Sequence, residues 1–225
     1  MAPQRLDQDG LLRGVNDLCK IDAALAEVVT RHGAPPMWGR RPGFATLIRM
    51  ILEQQVSLAS GRAVYRRINA ELGGVNISAV LEAGASRLRG LGVTRQKAEY
   101  CLEVAAAVES GRLNFRRLSR AADDCARDEL TAVKGIGPWT ADVYLLMALR
   151  RPDIWPPGDI ALLTALQHLR GWDERPTSDH AILESQRWRP WRAVAARILW
   201  HGYLSGSLTN RSRTWQQKPN WVKSQ

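Results

Sequence analysis

Apolar side chains recur at helical spacing along almost the whole chain, and this periodicity is the strongest constraint on the fold. One amphipathic helix is predicted by the apolar set at positions 44, 47, 48, 51 and 52. The same spacing predicts further helices over about residues 60–72, 95–108, 140–149 and 189–204, and one that begins near residue 159. No run of alternating β-branched residues indicates a strand. The predicted fold class is all-α, with short helices joined by short turns.

The length of 225 residues is enough for one large domain or for two small ones that share a cleft. Pro35-Pro36 and Pro156-Pro157 break the helical pattern and are candidate junctions. We expect two helical subdomains that flank a cleft. The predicted parts are an N-terminal helical part that packs with the C-terminal helices, a helical core, a loop with the C-terminal helices, and a polar tail: 1–40, 41–154, 155–205 and 206–225.

The charge balance predicts a polyanionic partner. The chain has 32 Lys and Arg against 22 Asp and Glu, which gives a net charge of +10. Nucleic acid is the commonest partner of so basic a protein, although the charge could also serve solubility alone. The three cysteines are far apart and fit neither a metal site nor a disulfide framework, so we expect a reducing cytoplasm. No stretch reads as a signal peptide or as a membrane span, so no membrane partner is expected.

Residues 130–141 (LTAVKGIGPWTA) are the most specific segment. We predict that a short helix ends near Lys134 and that a new one begins near Trp139. Gly135 and Gly137 between them allow a tight turn that exposes backbone N–H groups, and Ile136 is predicted to point inward and pack the two helices together. With the positive end of the next helix dipole, this turn suits a DNA phosphate. The alternative is a glycine cap followed by Pro138 at the first helical position, which needs no ligand.

The hairpin of residues 130–141 resembles that of the helix-hairpin-helix (HhH-GPD) DNA glycosylase superfamily. Four other segments resemble further signatures of that family and occur in the family's order: 51–57 (ILEQQVS), 89–98 (RGLGVTRQKA), 155–162 (WPPGDIAL) and 191–200 (WRAVAARILW). The resemblance covers about residues 40–205. It implies an all-α protein with a helix-hairpin-helix motif at about 128–150, and a role in base excision repair on double-stranded DNA.

Local features indicate which branch of the family the chain resembles. The lysine that forms a Schiff base in strand-nicking members is replaced by Trp139, and the four cysteines of an iron–sulfur cluster are absent. The resemblance therefore implies a monofunctional enzyme, similar to the compact form of 3-methyladenine DNA glycosylase II. Its expected substrates are alkylated purines of the 3-methyladenine and 7-methylguanine type. We expect a monomer in a bacterial-type cytoplasm, associated with the nucleoid.

The resemblance assigns the catalytic role to Asp159. A carboxylate near the sugar stabilises the oxocarbenium-like transition state of glycosidic cleavage and can orient the attacking water. The alternative is that Asp159 caps the helix that starts at Ile160 and does nothing else, although one carboxylate can serve as both cap and catalytic group. Trp139 and Trp200 resemble the aromatic lining of the family's base pocket and would attract a cationic base. Tyr144 could add to that wall, although the family's pocket tyrosine aligns with Val143.

The remaining expected site residues would contact DNA. Gln55 aligns with the wedge that fills the gap left by the flipped base, and Gln54 beside it is a weaker candidate. The hairpin contributes further predicted contacts at positions that surround its turn: Lys134, Gly135, Ile136, Gly137 and Thr140. Several basic residues are candidates for phosphate contacts, among them Arg62, Arg66, Arg95 and Lys97. No metal site and no required cofactor are expected, although relatives hold a monovalent cation at the hairpin carbonyls.

Two alternatives stay open at the level of the sequence. The chain could be a mismatch or deaminated-base glycosylase, which releases neutral bases from mispairs. It could also be a non-catalytic helix-hairpin-helix protein that binds DNA through phosphate contacts alone. The hairpin would serve the alkylpurine glycosylase and both alternatives equally, so the fold does not choose among these three functions.

Overall fold

The computed structural model describes residues 5–209, and within that range every regular element is helical. The predicted all-α fold class is thus confirmed. A one-turn 3-10 helix spans Gln186–Trp188. The α-helices, in chain order, are α1 (Gln8–Ile21), α2 (Ala23–His32), α3 (Phe44–Glu53), α4 (Leu58–Glu71), α5 (Ile77–Gly90), α6 (Arg95–Glu109), α7 (Phe115–Arg120), α8 (Asp123–Thr131), α9 (Pro138–Met147), α10 (Ile160–Arg170), α11 (Ser178–Ser185) and α12 (Arg192–Leu204).

The chain divides into two compact units. The first, here called the core unit, is Arg40–Leu149 and contains α3 to α9. The second, here called the terminal unit, joins residues 5–39 to residues 150–209 and contains α1, α2 and α10 to α12. The core unit therefore ends at Leu149 rather than at the predicted residue 154. None of the helices in these residues is long and apolar enough to cross a membrane. The predicted tail of residues 206–225 lies outside the described residues from 210 onward.

The core unit is built around α3, α6 and α9. Helix α3 packs against α4, α6 and α9, while α5 packs on α6 and α8 on α9. Side chains of these helices that are fully withdrawn from solvent form its apolar centre: Leu47, Ile51, Val104, Leu130 and Leu145. Burial of each such side chain contributes roughly 1.5–3 kcal/mol, which is the main force that holds the helices together. The predicted apolar face of α3 is the face that lies in this centre.

Side-chain caps set where several of these helices begin. Ser57, Asn76 and Thr94 stand just before α4, α5 and α6, and each accepts a hydrogen bond from the backbone N–H three residues later. These bonds satisfy N–H groups that the helix itself leaves without an acceptor. The helix predicted over residues 95–108 accordingly begins at Arg95, directly after its Thr94 cap.

The terminal unit is organised around α12. This helix packs against α1, α2 and α10, and its residues 193–200 are all buried. Gly14 lets α1 approach closely, because a Cβ there would lie 2.9 Å from Val194 Cγ2 and 3.0 Å from the Trp191 ring. Because α12 is covered on several sides, its buried stretch of residues 193–200 is almost entirely apolar, with Arg197 as its one charged residue.

Asp22 is the buried polar centre of the terminal unit. Its carboxylate is 5% exposed, accepts two hydrogen bonds from the Arg170 guanidinium, and accepts a third from Trp188 Nε1 at 2.8 Å. Arg170 in turn donates to Glu184 at 2.8 Å. Burial alone would raise the pKa of Asp22, but the hydrogen bonds from Arg170 and Trp188 and the positive charge of Arg170 lower that pKa overall.

Replacing Asp22 by Asn should destabilise the terminal unit strongly at neutral pH. Asn keeps the helix cap that Asp22 provides for α2 but removes one of the two carboxylates that pair with Arg170, which should cost about 2 kcal/mol because Glu184 still balances part of the charge. Because the folded pKa is lowered, the contribution of Asp22 is present above its ordinary value of 3.8 and is lost as the pH falls through the folded value. Urea unfolding at several pH values should show wild type and D22N converging under acid.

Glu27→Gln is the matched control for this prediction. Glu27 pairs with Arg31 one turn later on α2, and both side chains are exposed, so removing the charge should cost less than about 1 kcal/mol. Equal losses in the two variants, or a D22N deficit that persists at acid pH, would contradict the assignment of stability to the buried carboxylate.

Candidate active site

The hairpin of the core unit joins α8 to α9 through residues 132–137. Helix α8 ends at Thr131, three residues before the predicted end at Lys134. The turn then closes with Val133 N donating to Leu130 O and Ile136 N donating to Val133 O, both at 3.1 Å. Ile136 is buried, so it points inward between the glycines as the sequence predicts. Pro138 is the first residue of α9, where a missing N–H costs nothing.

The two glycines of the hairpin have different roles. Gly135 has φ of +97°, and a Cβ placed on it would lie 2.3 Å from Tyr100 Cγ. No other residue type fits there without moving the tyrosine ring or straining the backbone. Gly137 has an ordinary extended backbone with φ of −84°, and no atom lies within 4 Å of the position of its Cβ. The turn therefore requires only Gly135, and Gly137 keeps a side chain away from the outer surface of the hairpin.

The outer surface of the hairpin offers groups that suit an anion. Gly137 and Pro138 are exposed, and the first N–H groups of α9 have no acceptor within the helix. The positive end of the α9 dipole adds to them. Lys134 is also exposed, and its ammonium forms a long ion pair with Glu99 at 3.8 Å. The hairpin can thus present a lysine and backbone donors to one phosphate group.

Gln54 ties the hairpin to the end of α3. Its side-chain amide donates to Gly135 O and to Thr140 Oγ1, both at 3.0 Å. Thr140 is only 2% exposed, so its hydroxyl serves this internal bond, and a DNA contact by that side chain is not supported. Gln54 is half-buried, and its side-chain amide is likewise engaged in hydrogen bonds inside the protein. The residue that follows, Gln55, is exposed and has a left-handed backbone with φ of +51°.

Tyr144 belongs to the core and not to a base pocket. Its ring has no exposed surface and packs against Phe115, and its hydroxyl accepts a hydrogen bond from Gly43 N at 2.8 Å. Burial raises the pKa of this hydroxyl above its ordinary value. A ring with no exposed surface has no face to offer a bound base, so the predicted pocket role of Tyr144 is wrong.

Asp159 and Trp200 meet in the terminal unit. Asp159 is the residue before α10, and its Oδ1 accepts a hydrogen bond from Leu162 N at 2.9 Å, which is the predicted helix cap. The same oxygen accepts the indole N–H of Trp200 at 3.2 Å. The carboxylate is half-buried, while Trp200 is only 3% exposed. Two donors from two helices therefore fix the orientation of this carboxylate.

The segment that leads to Asp159 is held by the start of α12. The Arg192 guanidinium donates to both carboxylate oxygens of Asp153, at 2.8 and 3.0 Å, and to the Asp153 carbonyl at 2.8 Å. Ala193 N donates to Pro152 O at 3.0 Å. Since α12 also carries Trp200, the same helix holds the loop through Asp153 and contacts the Asp159 carboxylate. Sequence reasoning missed Arg192, because an Arg and an Asp 39 residues apart give no sign that they pair.

Trp139, the other predicted pocket tryptophan, is the second residue of α9 in the core unit and is half-buried. No group of three His, Cys, Asp or Glu side chains among residues 5–209 could hold a metal ion. Asp159 itself is a fixed, partly exposed carboxylate beside an indole. Such a group stabilises a developing positive charge or orients a water molecule.

A family model described as HhH-GPD superfamily base excision DNA repair protein matches residues 48–192. The chain therefore belongs to the HhH-GPD superfamily. The match begins within α3, includes the hairpin and Asp159, and ends at the first residue of α12.

Individual relatives agree with this family. A DNA-3-methyladenine glycosidase structure from Bacillus halodurans is 30% identical with a TM-score of 0.73, and the match covers 86% of this chain and 88% of that one. A Schizosaccharomyces pombe 3-methyladenine DNA glycosylase bound to abasic DNA, 22% identical, shares the fold with a TM-score of 0.73 over 84% of this chain and 95% of that one. DNA-3-methyladenine glycosylase of Bacillus subtilis is 33% identical over 50% of this chain.

The chain spans only part of its curated Bacillus subtilis relatives. The match covers 37% of that DNA-3-methyladenine glycosylase. It covers 64% of the relative YfjP, which is 26% identical over 79% of this chain. Sequence identity at this level shows membership of the family, whereas the activity of this chain has to be argued from its own residues.

Alanine substitutions should separate the two hairpin glycines. Gly135→Ala should lower the free energy of unfolding by roughly 2–4 kcal/mol, because the alanine would have a positive φ and its Cβ would clash with Tyr100. Gly137→Ala should change the free energy of unfolding by no more than about 0.5 kcal/mol, since its backbone is ordinary and its Cβ meets open space. Urea unfolding measures both, and equal costs would contradict the distinction.

Proposed function

We propose that this protein is a monofunctional DNA glycosylase that hydrolyses the N-glycosidic bond of alkylated purines during base excision repair. The observation that carries the proposal is the Asp159 carboxylate, held by Leu162 N and by the Trp200 indole at 2.9 and 3.2 Å. The names of the relatives, which are DNA-3-methyladenine glycosylases, support the same reaction. The proposed substrates are of the 3-methyladenine and 7-methylguanine type in double-stranded DNA.

The fixed carboxylate suits cleavage of a bond whose sugar becomes positively charged. As the glycosidic bond breaks, Asp159 would stabilise the oxocarbenium-like sugar and orient or deprotonate the attacking water. Preorganisation matters here, because a carboxylate already held by two donors does not reorganise when charge develops. An alkylated purine carries a positive charge and leaves readily, so the site needs no strong general acid.

Tryptophan rather than lysine after the hairpin supports base release without strand cleavage. Trp139 occupies the position where strand-nicking relatives carry an amine, and an indole cannot form a Schiff base with the sugar. The half-buried indole of Trp139 would instead attract a cationic base, a contact worth about 2 kcal/mol when water is excluded. Trp200 is only 3% exposed, so its predicted place in the pocket wall is not supported, and its role here is the hydrogen bond to Asp159. The expected product is an abasic site in an intact strand.

The hairpin supplies the proposed DNA contact. Lys134 and the N–H groups at the start of α9 would bind one phosphate, while exposed Gln55 would fill the gap left by the flipped base. Hydrolysis by water needs no cofactor. A monovalent cation on the hairpin would be bound by backbone carbonyls, and Gly135 O keeps a second lone pair beside the one that accepts the Gln54 amide. We further propose that the protein acts as a monomer in the cytoplasm, on nucleoid DNA.

Asp159→Asn should abolish base release while it preserves the fold. Asn still accepts the bonds from Leu162 N and Trp200, but it lacks the negative charge that the transition state needs. We expect a rate loss of roughly 10²–10⁴-fold. The assay is release of 3-methyladenine and 7-methylguanine from methylated duplex DNA under single-turnover conditions. Strand breaks should appear only after alkali.

Asp7→Asn is the matched control for Asp159→Asn. Asp7 is an exposed capping residue of α1 in the same unit, so the two substitutions change a cap equally. D7N should release base at the wild-type rate. If the wild type binds DNA but releases no methylated base, the assignment of alkylated purines as substrates fails. Release of neutral bases from mispairs would then favour the mismatch enzyme, and no release at all would favour the non-catalytic DNA-binding protein.

Gly137→Ala should weaken DNA binding although it leaves stability unchanged. The added methyl group projects into the open space outside the hairpin, where a phosphate would approach the backbone donors. Loss of one hydrogen bond to a charged group costs about 1.5–3 kcal/mol, so the affinity should fall roughly tenfold or more. Titration of fluorescent duplex DNA at fixed salt measures it, and unchanged affinity would place the phosphate elsewhere.

A further inference from the structure

The turn between α3 and α4 is only four residues long and carries the most exposed glutamine of the candidate site. Helix α3 ends at Glu53 and α4 begins at Leu58, with Ser57 as its cap. Gln54, Gln55 and Val56 lie between the cap and the helix end. The last carbonyls of α3 need donors from outside the helix, because no further helical turn supplies them.

Lys97 supplies those donors from a distant part of the sequence. Its ammonium on α6 donates to Leu52 O at 2.9 Å and to Gln54 O at 2.7 Å, across 45 and 43 residues. A cation at this place also stabilises the negative end of the α3 dipole. Burial lowers the pKa of Lys97 from its ordinary value, which agrees with an ammonium turned toward the protein. Two of its three donors are therefore engaged with the backbone of the turn.

The turn is held from its other side by the hairpin. The backbone carbonyl of Gln54 accepts from Lys97, while its side-chain amide donates to Gly135 O and Thr140 Oγ1. One residue thus joins the turn, α6 and the hairpin. The ammonium and the hairpin together leave the backbone of Gln54 no freedom to rotate without breaking a bond.

Gln55 follows this fixed point with a strained backbone. Its φ of +51° lies in the left-handed region, which costs a residue with a Cβ roughly 1–2 kcal/mol. Such conformations persist where the surrounding structure holds them, and they occur at functional sites. Here the hydrogen bonds made by Gln54 hold the backbone of the turn, and the left-handed conformation of Gln55 leaves its side chain exposed.

We propose that Lys97 is a positioning residue, which sets the left-handed turn at Gln55 and so presents the Gln55 side chain to the DNA base stack. The inference rests on the proposed function, in which Gln55 fills the gap left by a flipped base. It assigns Lys97 a backbone contact in place of the phosphate contact that its charge suggests. Without the ammonium, Gln55 can relax to an ordinary backbone and its side chain turns away.

The test follows insertion of Gln55 without depending on catalysis. The probe is a duplex with a tetrahydrofuran abasic-site analogue opposite 2-aminopurine, whose fluorescence reports disturbance of its stacking. At saturating protein, wild type should change the fluorescence and Gln55→Ala should abolish the change. Lys97→Met should abolish it to the same extent, and the double variant should add nothing. Lys20→Met, the same substitution at an exposed lysine of α1, should behave as wild type.

A second measurement separates positioning from damage to the fold. Single-turnover release should fall about tenfold for K97M on a paired lesion but less than about twofold on the same lesion in a bulge, where flipping costs little. General structural damage would lower both rates equally. Lys97→Gln, which keeps an N–H donor, is made in parallel and decides the question if the Met variant does not fold. It should retain more of the fluorescence change than Lys97→Met.

The outcomes separate this inference from the proposed function. A fluorescence change of wild-type size in both Lys97 variants, or effects that add to those of Gln55→Ala, would overturn the positioning role. If wild type released no methylated base but its fluorescence change still required Lys97, the glycosylase proposal would fail and the positioning role would stand.

Discussion

The packing of the hairpin against α6 depends on the absence of a Cβ at residue 135. The Tyr100 ring lies where that atom would be, only 2.3 Å from its position, so the absence of a side chain lets α6 approach the hairpin. Once α6 is there, Lys97 on the same helix reaches the end of α3. Gln54 at that end reaches back to Gly135 O. One steric constraint therefore brings three elements together, and the polar contacts that join them depend on it.

The carboxylate of Asp159 combines two tasks that are often separate. As a helix cap it accepts an N–H group of α10, and as the proposed catalytic group it must face a developing positive charge. The two tasks support each other, because a capping oxygen is already oriented. The Trp200 indole adds a second donor to the same oxygen, and Arg192 holds the preceding loop through Asp153. The helix that carries both residues is buried along most of its length, which limits its movement.

Several features of the site were predictable from residue type and spacing. The hairpin glycines, the inward Ile136 and the cap at Asp159 follow local rules about backbone geometry. Other assignments failed because they depend on neighbours far along the chain. Tyr144 is a core residue whose hydroxyl meets Gly43 N, 101 residues away, and Thr140 meets Gln54 at a separation of 86. The sequence also does not show that a Cβ at residue 137, unlike one at residue 135, would meet no other atom of the protein.

The sequence by itself determined the helical class, most helix positions and the family, since periodicity, caps and glycine turns act over a few residues. It also determined the excess of positive charge that suits DNA. Only the tertiary structure decided which polar side chains are buried and which face outward. Lys97 shows why: its charge alone predicts a phosphate contact, whereas packing of α6 against α3 directs its ammonium to two backbone carbonyls. Carbonyls left without donors at a helix end are a property of the fold, and no local pattern reveals which distant residue will satisfy them.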